Sequence, residues 1–271
     1  MTKPSRLVVV TIVKDDQDGL NKTLESVRVQ SLRPKHVVID GSSAESNRDL
    51  ISLKCKEIGS TYLYQEAKGI YSAMNYGLSI CEDDNLVLFL NAGDYFADIE
   101  SVKQIEDDSS GSQSSFLIYP CVFGDKNGFV PPVRGATAKT VAMGKASVCH
   151  QGVVVSAGLM RRAGAFDESY AISADHKLLL QLLQLSEPLV GTTPLAIVAL
   201  GGVSDTNCSK LIRENERARS ETGMSNKSLV ADKSFTLRRL FRCKLKLQLR
   251  TILRLLRIPE TLPQRILHRL R

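Results

Sequence analysis

The sequence has no tryptophan, few aromatic residues and no apolar run long enough to cross a bilayer. Aromatic residues make up 6% of the chain, and no segment offers the roughly 20 consecutive apolar residues of a membrane-spanning helix. None of the six cysteines stands in a Cys-x-x-Cys pair, which argues against a common zinc site and against a disulfide framework. We therefore expect a reduced cytosolic protein without a secretory signal.

Charge is unevenly distributed along the 271 residues. The chain carries a net charge of +7, but residues 233–271 hold 12 Lys and Arg against one acid, which leaves the remainder at about −4. Apolar residues recur at helical spacing within this basic tail, a pattern typical of a helix on an anionic membrane surface. The alternative is a helix packed on its own domain or on a partner subunit. No aromatic platform interleaves with the basic residues, so we expect no nucleic-acid partner.

Short apolar runs alternate with helical patterns along the chain. The runs at 7–13, 37–39, 62–64 and 86–90 predict buried strands, and the segments 19–30, 46–58 and 70–81 predict helices. This β-α-β order predicts an α/β fold with a doubly wound, largely parallel sheet and helices on both faces. Further along we expect a polar connector at 106–115, strands at 116–123 and 195–200, and helices at 174–185 and from 208 onward.

Polar residues follow three of these strands where each one ends. Thr11 lies near the end of the first strand, Asp40-Gly41-Ser42 follows the second, and Asn91-Ala92-Gly93-Asp94 follows the fourth. Ligands of open α/β sheets bind at the carboxyl ends of the strands, so these residues are candidates for a binding site. For Asp40, capping of the following turn is the alternative.

Asp175 occupies the first turn of a predicted helix. An acid at that place compensates the helix dipole in any protein, and a general base is the second interpretation. His150 precedes the strand-like run 153–155. A structural role, a contact to a ligand and a role as a metal ligand all stay open for it.

Five segments, in this order, resemble the GT-A type glycosyltransferases that use nucleoside-diphosphate sugars. They are residues 8–14, 37–43, 69–77, 89–94 and 164–176. The similarity is greatest to family 2 enzymes that build bacterial exopolysaccharide, O antigen and colanic acid. The chain departs from that pattern at Ala67 and Ser72, where relatives commonly carry acidic or amide residues.

The resemblance implies a role for each matching position. Asp175 would be the catalytic base, and Asp94, with His150, would bind a divalent metal, Mn²⁺ or Mg²⁺. Contacts to the nucleotide sugar would come from Thr11, Val13, Asp40, Gly41, Ser42, Lys68, Gly69, Asn75, Asn91 and Ala92. For the segment 69–77, a helix that only contributes to the core is the alternative interpretation.

The resemblance also implies an organisation and a function. Residues 1–110 would form the nucleotide-sugar-binding half of a GT-A-like domain, residues 111–207 the acceptor-binding and catalytic half, and residues 208–271 a basic helical extension. We expect an inverting glycosyltransferase of bacterial surface polysaccharide biosynthesis, with a lipid-linked or saccharide acceptor. We expect it on the cytoplasmic face of the inner membrane, bound to the anionic surface through residues 235–271. A sugar nucleotidyltransferase and a catalytically silent scaffold are the alternatives.

Overall fold

The structure is a computed structural model that describes residues 5–124, 128–131, 133, 135–199, 207–225 and 236–238. The chain divides into two compact units, Met1–Leu200 and Gly201–Arg271. Of the basic tail predicted to bind membrane, 235–271, only residues 236–238 are among those described.

The first unit alternates strands and helices. Its strands are β1 (Leu7–Val13), β2 (Lys35–Asp40), β3 (Thr61–Tyr64), β4 (Leu86–Phe89), β5 (Tyr95–Phe96), β6 (Phe116–Ile118), β7 (Cys121–Phe123), β8 (Val153–Ser156), β9 (Leu189–Val190) and β10 (Ala196–Val198). Its helices are α1 (Gln17–Arg28), α2 (Glu45–Ile58), α3 (Ile70–Ser79), α4 (Ser101–Ser112), α5 (Ala138–Ala142), α6 (Ala157–Arg162) and α7 (Ala174–Leu185). A 3₁₀ turn, His150–Gly152, leads directly into β8.

The strands form two sheets. The larger sheet has seven strands in the order β3-β2-β1-β4-β8-β6-β9, and β1 to β4 within it are parallel. The strand β8 runs antiparallel to its neighbours β4 and β6. A second sheet has the order β5-β10-β7. The chain adds β2 and β3 on one side of β1 and then returns to add β4 on the other side, which is the arrangement of a doubly wound sheet.

Helices cover both faces of the parallel strands. Successive side chains of a strand point to opposite faces, so the apolar residues of each strand need cover on both sides. Val13 and Val38 pack in one buried cluster with Leu20 of α1 and Ile51 of α2. The opposite face is covered by α3. The predicted α/β architecture is therefore confirmed.

The helix α3 approaches the sheet so closely that no side chain fits at Gly77. A Cβ atom there would lie 2.4 Å from Val10 Cγ1 and 3.6 Å from Ile39 Cγ1. Glycine at this position thus permits the close packing that holds α3 over β1 and β2.

Two elements differ from the sequence-based expectation. The polar connector predicted at 106–115 is wrong, since α4 spans Ser101–Ser112 and buries Val102, Ile105 and Ser109 at helical spacing. The strand predicted at 116–123 is two strands in different sheets. Pro120 stands between them and cannot donate to a strand ladder, so pairing stops there.

The described part of the second unit is mainly the helix α8 (Cys208–Glu221). An ion pair joins Arg217 and Glu221 one turn apart at 2.6 Å, and Thr236 donates to the Glu216 carboxylate. Among the described helices, none is both long and apolar enough to cross a membrane.

The cysteines among the described residues are in two states. The thiols at positions 55, 81, 121 and 149 are free. Cys208, by contrast, is in a disulfide bond.

Candidate active site

The candidate site lies where the carboxyl ends of β1, β2 and β4 meet. The loops that follow these strands are residues 14–16, 41–43 and 90–94. The change of direction between β1 and β4 opens a crevice at this edge, which is the usual ligand position in such sheets.

The loops after β1 and β2 are joined by hydrogen bonds that the sequence did not reveal. The Asp15 amide donates to Ser42 Oγ at 2.9 Å, and the Ser43 amide donates to Asp15 Oδ1 at 3.2 Å. Asp15 has a φ of +52°, in the left-handed region that few residues other than glycine adopt. The two loops therefore form one connected rim of the site.

Asp40 organises this rim from inside the fold. Its side chain is fully buried. Its Oδ1 accepts from the Ser42 amide at 2.8 Å, and its Oδ2 accepts from the Tyr62 hydroxyl at 3.0 Å. The Gly41 amide donates to the Val13 carbonyl at 2.9 Å. What the loop presents at the edge is therefore its backbone around Gly41 rather than the Asp40 carboxylate.

Thr11 and Val13 also lie inside the fold. Thr11 Oγ1 donates to the Leu90 carbonyl at 2.8 Å and is 3.0 Å from His36 Nε2. The exposed fraction of Thr11 is 0% and that of Val13 is 1%. Their side chains are therefore buried here, and a ligand contact from either residue stays a prediction.

Lys68 and Gly69 are exposed at the start of α3. Gly69 has a φ of +117°, which favours glycine. A Cβ atom at Gly41 would lie 3.5 Å from Ala67 Cβ, so the loop before α3 is a neighbour of the loop after β2. Lys68 thus directly follows a residue that neighbours the rim formed by the first two loops.

Asn75 holds another part of the protein in place. Its side-chain amide donates to the Phe166 carbonyl at 2.8 Å and to Glu168 Oε1 at 2.9 Å. Its Oδ1 accepts from the Phe166 amide at 3.0 Å. These bonds fasten α3 to the loop that precedes α7, so Asn75 is engaged there and not with the rim.

The residues after β4 contact the 3₁₀ turn. Asn91 Nδ2 lies 3.2 Å from His150 Nε2. Ala92 is half-buried, and its amide donates to the Ile12 carbonyl at 3.1 Å. Asn91 and Ala92 therefore stand at the crevice between β1 and β4.

Asp94 is 5% exposed and has both carboxylate oxygens engaged. Oδ2 accepts from Gln151 Nε2 at 2.7 Å, and Oδ1 accepts from the Ala199 amide at 3.0 Å. Burial raises the pKa of Asp94, although both hydrogen bonds and the charge of His150 oppose that rise. Asp94 thus connects three segments of the first unit.

These side chains do not fit a divalent metal in the arrangement observed. Among the described residues, no three His, Cys, Asp or Glu side chains surround a common point. Mg²⁺ and Mn²⁺ require several oxygen ligands, whereas Asp94 is occupied and His150 has neighbours at both ring nitrogens. The predicted metal site is therefore not preformed.

Asp175 and His150 form an ion pair at the opening of the crevice. His150 Nδ1 lies 3.3 Å from Asp175 Oδ2, and the side chains are 25% and 28% exposed. Burial alone would raise the pKa of Asp175, but the hydrogen bond and charge of His150 lower it below the ordinary value. Burial alone would lower the pKa of His150, and the bond to Asp175 instead raises it to about 9. Both groups are consequently charged at neutral pH.

A cavity of about 60 Å³ adjoins this pair. His150, Asp175 and His176 line its polar part, and the remainder is apolar, including Val87, Phe89, Val153, Met160, Leu178 and Leu182. Most of its lining is apolar, so the cavity offers a polar ligand few hydrogen-bonding partners.

The structure brings together four residues that the sequence singled out separately: Asn91, Asp94, His150 and Asp175. The sequence-based reasoning missed Tyr71, whose hydroxyl donates to Asp175 Oδ1 at 3.1 Å. It lies within the segment 69–77 that resembles the family, but the sequence assigned it no role. Gln151 was also missed, although it follows His150 directly.

Comparison with known proteins identifies the family. The sequence model described as "Glycosyl transferase family 2" matches residues 8–122, which include β1 to β4 and the loops after them. An uncharacterized glycosyltransferase of Mycobacterium tuberculosis, found in strains CDC 1551 and H37Rv, is 32% identical over 197 residues. The match covers 70% of this chain and 73% of that protein.

Solved structures support the fold. TarS of S. aureus has a TM-score of 0.62 at 15% identity; the match covers 87% of this chain but only 43% of that protein. A shorter TarS fragment solved with UDP-GlcNAc gives 0.62 at 13% identity, covering 87% of this chain and 72% of the fragment. The mannosyltransferase PcManGT of Pyrobaculum calidifontis, solved with GDP-Man and Mn²⁺, gives 0.60 at 12% identity, covering 87% and 69%.

The crevice at the strand ends, the match across those strands and the identity to the mycobacterial relative agree with one another. The chain belongs to glycosyltransferase family 2 and has the GT-A fold.

Proposed function

We propose that this chain transfers a sugar from a nucleoside-diphosphate sugar to an acceptor hydroxyl, with Asp175 as the general base. The observation that carries the proposal is the position of the Asp175 carboxylate, which is partly exposed and lies 3.3 Å from His150, the residue that contacts Asn91 after the end of β4. Membership of family 2 supports sugar transfer. The neighbours solved with UDP-GlcNAc and with GDP-Man support a nucleotide-sugar donor.

In this proposal the donor lies along the strand ends. The nucleotide contacts the backbone of Gly41 and Ser42. The Lys68 ammonium group and the amides at the start of α3, next to Gly69, neutralise the diphosphate, because a helix N-terminus and a lysine both favour anions. Asn91 and Ala92 face the sugar. The buried Asp40 carboxylate holds the backbone of this site in place by accepting a hydrogen bond from the Ser42 amide.

The reaction is a single displacement. The acceptor oxygen forms a bond to the anomeric carbon while its proton passes to a carboxylate oxygen of Asp175. The bond from that carbon to the diphosphate breaks, and the nucleoside diphosphate leaves with the electron pair. Attack from the side opposite the leaving group inverts the configuration of the sugar.

A divalent cation, Mn²⁺ or Mg²⁺, stays a prediction for this chain. The Mn²⁺ complex of the neighbouring mannosyltransferase supports it. Because Asp94 has both oxygens engaged and the described side chains form no cluster of ligands, we derive no step through the metal.

We further propose a lipid-linked or saccharide acceptor of bacterial surface polysaccharide synthesis, used at the cytoplasmic face of the inner membrane. The basic composition of residues 233–271 supports an anionic membrane surface as the partner, since each Lys or Arg near such a surface contributes about 1 kcal/mol. The full chain should sediment with phosphatidylglycerol vesicles and not with phosphatidylcholine vesicles. Equal binding to both would contradict a charge-driven contact.

Nucleotide binding tests the proposed function. We expect one of UDP, GDP, dTDP and CMP to raise the melting temperature of the full chain, by roughly 5–10 °C at a concentration 100 times its Kd. Each nucleotide is measured with and without Mn²⁺, so that a larger shift with the ion reports its participation. Absence of stabilisation by all four would favour the catalytically silent scaffold.

A further inference from the structure

Two donors from different elements hold the two oxygens of Asp175. The Tyr71 hydroxyl, on α3, donates to Oδ1 at 3.1 Å. His150, in the 3₁₀ turn before β8, has its Nδ1 3.3 Å from Oδ2. We infer that Tyr71 and His150 are positioning residues that fix the direction in which Asp175 receives the acceptor proton. The inference rests on the proposed role of Asp175 as the base.

Tyr71 is itself held by packing. It is 6% exposed, and its ring stacks on Phe166 with the centroids 5.7 Å apart and the planes at 19°. Phe166 in turn meets the Phe89 ring edge-on at 5.1 Å, and Asn75 bonds both the amide and the carbonyl of Phe166. The hydroxyl of Tyr71 therefore has a fixed position relative to the start of α7.

His150 is held from its other side by Asn91. The two side chains are 3.2 Å apart, between His150 Nε2 and Asn91 Nδ2. Asn91 Oδ1 is buried and has no hydrogen-bond partner. Half a turn of the Asn91 amide presents this oxygen to Nε2, so a doubly protonated His150 would donate to Asn91 and Asp175 together. The imidazole thus connects the end of β4 with the start of α7.

The two bonds leave Asp175 able to act. Each carboxylate oxygen offers two lone-pair directions, and the side chain is 28% exposed. Tyr71, His150 and the His176 amide each take one of these directions, so only defined directions stay open for the acceptor hydroxyl. An Asp175 side chain free to rotate would present the correct lone pair for a smaller fraction of the time, which lowers kcat.

Two substitutions at His150 test the hydrogen bonds of its two ring nitrogens separately. The amide nitrogen of Asn falls close to the position of Nδ1, and that of Gln falls close to Nε2. We therefore expect His150→Gln, which loses the donor to Asp175, to reduce kcat by roughly 10- to 100-fold, whereas His150→Asn retains most of it. Tyr71→Phe keeps the ring stacking and loses only the hydroxyl, so we expect a reduction of about 2- to 10-fold.

The assay is the release of nucleoside diphosphate from a panel of UDP-, GDP- and dTDP-sugars, with a bacterial lipid extract as acceptor. We expect the KM for the donor to change little, because neither residue touches it. Tyr119→Phe is the matched control. It removes another tyrosine–carboxylate bond, to Asp108 at 2.8 Å, away from Asp175, and should leave kcat unchanged.

The same substitutions in an Asp175→Asn background distinguish the positioning role of Tyr71 and His150 from the role of Asp175 as the base. If Tyr71 and His150 act through Asp175, they have little further effect there. Equal kcat values for His150→Asn and His150→Gln, or undiminished effects in the Asp175→Asn background, would overturn the positioning role alone. Full activity of Asp175→Asn, or no release by the wild-type chain from any donor, would overturn the proposed function itself.

Discussion

Asp175→Asn is expected to lower kcat by about 10²- to 10⁴-fold, the range contributed by general base catalysis. Asparagine has nearly the shape of aspartate and still accepts a hydrogen bond from Tyr71, but it cannot take a proton from the acceptor hydroxyl. The KM for the donor and the melting-temperature shift produced by the nucleoside diphosphate should stay close to those of the wild type, since the proposed nucleotide site lies at the loops after β1 and β2. Steady-state kinetics and thermal unfolding measure the two sides of this prediction.

Asp83→Asn is the matched control for this substitution. Asp83 pairs with Arg161 on the surface, and its side chain is 79% exposed. Loss of that charge should leave kcat unchanged. An Asp175→Asn variant that kept kcat within about 3-fold of wild type would show that this carboxylate is not the base, because a lost general base costs far more.

Gly152→Ala is expected to destabilise the protein by about 1–3 kcal/mol or more, as overpacked sites commonly do. A Cβ atom at Gly152 would lie 2.2 Å from the Tyr119 carbonyl oxygen and 3.0 Å from Cys121 Sγ. The carbonyl belongs to the backbone and cannot swing aside. The Tyr119 amide also donates to the Gly152 carbonyl at 2.8 Å, so relief of the clash breaks a second contact.

The loss should appear as a fall in melting temperature, at roughly 2–4 °C for each kcal/mol in a protein of this size. Activity should also fall, because Gly152 ends the turn that carries His150. Gly111→Ala is the control. Gly111 is exposed near the end of α4 and has nothing within 4 Å of a Cβ position. Alanine there should raise the free energy of unfolding by about 0.5–1 kcal/mol. Equal stability of the two variants would refute the packing argument.

The strand and helix order could be predicted because each element has a simple local signature. β1 and β4 are continuous apolar runs, which indicate strands buried on both faces. Residues 106–115 were wrongly predicted as a connector because few of them are apolar. In α4 the buried residues are Ser101, Val102, Ile105 and Ser109, so its other, mostly polar residues dominate the composition. Periodicity, not average polarity, carried the correct signal there.

The site could be predicted only in part. Asn91, His150 and Asp175 were identified separately, but their contacts join residues 59 and 25 positions apart in the chain, and no local pattern encodes such pairs. Burial was equally invisible. Asp40 and Thr11 stand at strand ends, as a ligand contact would, yet both face inward because neighbouring side chains and backbone groups satisfy them. Asn75 was predicted to contact the nucleotide sugar, which stays a prediction, and its bonds to the loop before α7 could not be foreseen.

The most direct test of the central claim is a crystal structure of the Asp175→Asn chain with an intact nucleoside-diphosphate sugar. The account predicts the nucleotide beside residues 41–43, the diphosphate near Lys68, and the anomeric carbon facing position 175. Room for one acceptor oxygen between them implies a separation of roughly 6 Å, since reacting atoms approach to about 3–3.5 Å. A nucleotide bound away from this edge of the sheet, or a sugar that faces away from position 175, would contradict the account.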